Sequence, residues 1–144
     1  MKIRHGVLSI GLLALAACSW MPHFGKDRAP KQQMLMKSLA GEVDYALSHP
    51  LPADAYLEVT LADVSKQDAP ARVIATDRIV PIGSSPVSFV LGYEPAELAD
   101  GVDFAVSARI KQGDRTLAVN DTQVSVLGRS GNEGPVRIVI SEIH

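Results

Sequence analysis

Val87-Ser88-Phe89-Val90-Leu91-Gly92-Tyr93 places a large apolar side chain at every odd position, with Ser88, Val90 and Gly92 between them. Successive side chains of a strand point to opposite faces, so this period of two predicts a strand with one buried face and one wet face. The pattern recurs outward in both directions. Downstream, Phe104, Val106, Ala108 and Ile110 are interleaved with polar neighbours that include Ser107 and Arg109. Upstream, Leu57, Val59 and Leu61 alternate with Glu58 and Thr60, and Val43, Tyr45 and Leu47 alternate with Glu42, Asp44 and Ser48. Leu117 and Val119, then Val124 and Val126, then Val136, Ile138 and Ile140 complete the series. The stretch from Arg72 to Ile82 is β-branched but alternates poorly, which predicts an edge strand or one with a bulge.

Turn chemistry separates these runs at short intervals. Leu51-Pro52-Ala53-Asp54, Lys66 to Pro70, Gly83-Ser84-Ser85-Pro86, Gln112-Gly113-Asp114 and the glycine-rich Gly128 to Gly134 each break a strand pattern. The only helical signal in this region is Pro95 to Ala99, one turn with proline near its start and Gly101 available to end it. Strands without intervening helices predict an all-β domain. About seven of them in roughly 105 residues predict an immunoglobulin-like antiparallel β-sandwich over residues 38–144.

The amino-terminal seventeen residues have another character. Lys2 and Arg4 precede an apolar run from Gly6 to Leu15, and small residues follow, the layout of a secretory signal peptide over residues 1–17. Ten apolar residues are too few for a membrane-spanning helix, which needs about twenty. Leu15-Ala16-Ala17-Cys18 resembles the lipobox of bacterial lipoproteins, which implies cleavage before Cys18 and lipidation of its thiol. Each buried methylene contributes about 0.8 kcal/mol, so two or more acyl chains hold a protein at a bilayer where one does not. Residues 18–37 then read as a lipidated tether, broken by Pro22, Gly25 and Pro30. Met34, Leu35 and Met36 fit the start of a first strand, a short helical turn or an adhesive spot near the membrane equally well. Ser19, a residue other than aspartate after the cysteine, points to the outer membrane and a periplasm-facing domain.

Charge divides the same way. The leader carries +2, residues 19–37 carry +3 and residues 38–144 carry −7. An acidic domain excludes a phosphate-binding face, so no nucleic-acid partner is expected. The single cysteine excludes an internal disulfide, and His5, His23, His49 and His144 show no ligand spacing, so neither a metal nor another cofactor is expected. Asp63, Ser65 and Asp68 loosely imitate a calcium loop but lack its oxygens and its glycine; Asx and Ser turns account for them, as for the scattered Asp100, Asp103 and Asp121. No histidine lies within the predicted strands to activate a nucleophile, so the chain is not expected to be an enzyme. Asn120-Asp121-Thr122 matches a glycosylation sequon, which the lipobox of a bacterial protein makes irrelevant.

Three runs carry a family resemblance: Leu51-Pro52-Ala53-Asp54-Ala55, Val59-Thr60-Leu61-Ala62-Asp63-Val64-Ser65 and Asp68-Ala69-Pro70-Ala71. Pro86-Val87-Ser88-Phe89, Tyr93-Glu94-Pro95, Val106-Ser107-Ala108-Arg109-Ile110 and Val124-Ser125-Val126-Leu127 follow in order. Together they resemble the YbaY/YscW group of small bacterial lipoproteins over roughly residues 39–143. One departure is Phe104, where the group leads one to expect a tyrosine. The resemblance implies a β-sandwich, an outer-membrane lipoprotein and no reaction. Its YscW-type members are pilotins, lipoprotein chaperones that bind a secretin subunit; its YbaY-type members are loosely linked with polysaccharide metabolism. The function expected is therefore that of an outer-membrane-anchored, non-enzymatic, protein-binding domain of the pilotin kind, with the membrane as one partner and an envelope protein such as a secretin as the other. The alternative is an envelope lipoprotein that binds or acts on cell-surface polysaccharide, although Trp20 lies in the tether and only Tyr45, Tyr56 and Tyr93 remain to stack on sugars.

Overall fold

The computed structural model describes residues 35–143. The signal peptide, Cys18 and the tether as far as residue 34 lie outside the described residues. Eight strands follow: β1 (Lys37–Tyr45), β2 (Tyr56–Asp63), β3 (Arg72–Ile79), β4 (Val87–Tyr93), β5 (Phe104–Gln112), β6 (Arg115–Val119), β7 (Val124–Val126) and β8 (Val136–Glu142). The predicted single turn of helix is a 3-10 turn over Pro95–Leu98, where the Glu94 N–H donates to Glu97 Oε1 at 3.0 Å.

The alternation reads true in the packing. Val87, Phe89, Leu91 and Tyr93 are buried while Ser88, Val90 and Gly92 are exposed. Leu57, Val59 and Leu61, then Val106, Ala108 and Ile110, and finally Ile138 and Ile140 complete one core in which no polar or charged side chain is buried. β3 shows both features that its poor alternation predicts. It ends the sheet, pairing only with β2, and the register slips between Leu61↔Ala75 and Ala62↔Val73, leaving Ile74 as an extra residue.

The all-β class therefore stands, and the finer expectation needs correction. The strands form one continuous ladder, β3-β2-β5-β6-β8-β1-β4, with β7 also paired to β5, so the sheet curls into a nearly closed barrel. Among the described residues there are eight strands where the sequence predicts about seven, and one pairing is parallel: Gly41 to Tyr45 of β1 run alongside Val136 to Ile140 of β8. Alternation reports which face a residue occupies and says nothing about its neighbouring strand, which is why the sequence concealed this. The parallel pair depends on Gly41. A β-carbon there would collide with the Val136 carbonyl and come within 2.8 Å of Phe89 Cζ, so the ring of the residue opposite on β4 occupies the missing side chain's space.

Candidate interaction surface

The one polar knot that the sequence singles out is built at the exit of β2. Asp63 Oδ1 accepts from the Ser65 N–H at 2.9 Å and from its hydroxyl at 2.5 Å, an Asx turn. Ser65 Oγ in turn accepts from the N–H groups of Val102 and Asp103 at 2.9 and 3.0 Å, tying this exit to the entry of β5. Arg72 reaches Asp63 Oδ2 at 3.2 Å across the β2–β3 pair. The Ser65 hydrogen bonds, with help from Arg72, hold the Asp63 carboxyl below its usual pKa against a smaller opposing effect of burial. A cleft of about 310 Å³ opens beside them, lined also by Lys66 and Asp100. Asp68 makes no hydrogen bond among the described residues, Asp103 pairs with Arg129 at 3.1 Å, and Asp121 accepts from Thr122 Oγ1 at 3.3 Å. The carboxylates are thus distributed among separate turns, and no group of three or more potential ligands gathers among the described residues.

The remaining polar candidates are likewise engaged within the fold. Glu142 accepts from the Ser48 N–H at 3.2 Å and from its hydroxyl, which lowers its pKa, and His49 Nδ1 lies 3.4 Å away. The sequon residue Asn120 has a structural role that the sequence did not reveal. Its N–H donates to the Ala108 carbonyl at 3.2 Å while its Oδ1 accepts from the Ala108 N–H at 2.8 Å, so it bridges the break between β6 and β7 as a surrogate strand residue. None of the three tyrosines forms a bare platform. Tyr93 is in the core, where burial raises its pKa; Tyr45 donates to the Gly83 carbonyl; and Arg78 lies 3.8 Å over the Tyr56 ring.

What the fold leaves open is backbone. Among the described residues β3 and β4 end the ladder and lie near one another without pairing, so each has one edge that no described strand fills. β4 carries no charged residue. Both arginines of β3 are turned to groups of β2, Arg72 to Asp63 and Arg78 to Tyr56. Val73 and Val90 stand exposed on the outer faces of the two strands, and Val80 is exposed in their connection. No helix among the described residues is long and apolar enough to cross a membrane.

Comparison with known proteins agrees with this architecture. Residues 34–138 match the family described as Type III secretion system lipoprotein chaperone (YscW). The lipoprotein YbaY of Escherichia coli (strain K12) is 31% identical over 151 residues, covering 96% of this chain and 80% of that protein. An alternative pilotin from the type II secretion system of Vibrio cholerae superposes with a TM-score of 0.67 at 31% identity, over 76% of this chain and 99% of the pilotin. With an all-β core, unfilled strand edges and a family match running from the first strand into the last, the chain belongs to the YscW family of secretion-system lipoprotein chaperones.

Proposed function

We propose that this chain is a lipid-anchored envelope lipoprotein that works without catalysis, holding a secretin-type subunit by its β domain and bringing it to the outer membrane as a pilotin does. The likeness to the Vibrio cholerae pilotin over nearly that protein's whole length carries the reading. Lipidation at Cys18 supplies the anchor, and the tether lets the domain reach a partner in the periplasm. Strand edges fit such a task, because backbone hydrogen bonds hold an extended client while side-chain pockets select it.

Two experiments test the two halves. Cys18→Ser should move the protein from the membrane fraction to the soluble periplasm; unchanged fractionation refutes the anchor. Photo-crosslinking in cells, from positions spread over the domain surface including Val139, should trap one secretin-type protein reproducibly. A pattern in which every position traps only abundant porins refutes the partner.

A further inference from the structure

We infer that the β3–β4 seam is a strand-acceptor site whose occupant is an extended, apolar-alternating polypeptide segment bearing one lysine or arginine that faces Asp77; this rests on the partner-binding reading above. Asp77 lies opposite Val59 in the β2–β3 register, and Val59 is fully buried. Residues directly opposite share a face, so Asp77 lies on the inner face of the edge strand β3, half-buried beside the seam. It makes no ion pair or hydrogen bond among the described residues, unlike Asp63 and Asp103, which have arginine partners.

Charge complementarity sets the occupant's chemistry. β4 offers a seven-residue edge without charge, the nearby arginines of β3 are engaged with β2, and the one unanswered charge at the seam is negative, within an acidic domain. A segment lying along β4 would pair its backbone there and cover Val90 and Val73 with its outward side chains. Its inward positions would meet apolar core at all levels except that of Asp77, where a cation fits. Adjacent strands sit about 4.8 Å apart, so entry requires β3 and β4 to part, and no ladder bond between them opposes it.

The test uses the full lipidated chain in detergent and a synthetic peptide of about ten residues, alternating valine and threonine with one central lysine. Two control peptides replace that lysine by glutamate or insert a central proline. The lysine peptide should bind and slow amide exchange in β3 and β4. The proline peptide should fail to bind, and the glutamate peptide should bind about three- to fivefold more weakly, the size of one partly screened ion pair. Asp77→Lys should invert the lysine-over-glutamate preference, and Asp77→Asn should erase it with the fold intact. Protection elsewhere, equal binding of the proline peptide, an unchanged preference in the Asp77 variants, or β3 and β4 protected by self-association without peptide would each overturn the seam. Crosslinks to a secretin-type protein from Val139 but not from Val73 or Val90 would refute the seam alone, whereas none from any position would refute the partner-binding reading itself.

Discussion

Gly41→Ala sets two opposed effects against each other, and the structure decides between them. In an open strand the change would stabilise, because alanine loses less backbone freedom on folding than glycine, by about 0.5–1 kcal/mol. Here the new methyl group meets the Val136 carbonyl and lies 2.8 and 2.9 Å from Phe89 Cζ and Cε1. The ring can turn aside, but the carbonyl belongs to the strand paired in parallel with β1 and cannot. Overpacking a core costs about 1–3 kcal/mol, so the net expectation is a loss of roughly 1–2 kcal/mol. For a domain of this size that lowers the midpoint of thermal unfolding by about 5–15 °C. Urea unfolding followed by tryptophan-independent far-UV signal measures it, with an unchanged m-value showing that the same fold is being lost. Phe89→Leu in the Gly41→Ala background should recover only part of the loss, since the backbone clash remains. A neutral or stabilising Gly41→Ala would refute the reasoning, and with it the close approach of β1 to β8.

Asn120→Ala leaves the buried Ala108 N–H without its acceptor and should cost about 1–3 kcal/mol, whereas Asn120→Asp, which keeps the acceptor, should cost less; urea midpoints separate them. Ser65→Ala orphans the Val102 and Asp103 N–H groups together and should speed amide exchange at the entry of β5. Because the folded Asp63 carboxyl titrates below its ordinary value of 3.8, its contribution to stability is complete above that value and fades as pH falls through the lower folded one. Asp63→Asn should accordingly flatten the acid limb of the stability profile from about pH 5 downward, and an unchanged limb would refute the assignment. Phe104→Tyr, which restores the hydroxyl expected of the family, adds an atom to a fully buried ring packed against Gly101 and Gly128, and overpacking should lower the urea-derived stability by about 1–3 kcal/mol.

Much of this fold is legible because burial on one face imposes period two, and the run from Val87 to Tyr93 obeys it at every residue. The poor alternation of Arg72 to Ile82 likewise announced an edge, since the bulge at Ile74 throws the side chains out of phase. Pairing was not legible. Nothing in β4 marks it as the other end of the ladder, and nothing in β8 announces a parallel neighbour 95 positions upstream, because hydrogen-bonded backbone looks the same in every sequence. Gly41 was the one available signal, a glycine inside a strand pattern that implies close backbone approach. The Asp63 turn is legible from residue types, whereas Asn120 shows in the sequence only as a sequon that the lipobox sets aside, because its work is done through a contact with Ala108 on another strand. The candidate surface was legible least, for an unfilled edge is defined by which strands fail to meet.

Lodging the last strand beside the first has a consequence for biogenesis. A chain that emerges amino end first presents β1 early, but β1 lacks its parallel neighbour until Val136 to Ile140 have followed. The domain must therefore wait for its own tail, with the exposed flank of β1 open to other strands or to proteases in the interval. Chains cut short before β8 should be degraded instead of accumulating as partly folded protein, a built-in check on completeness.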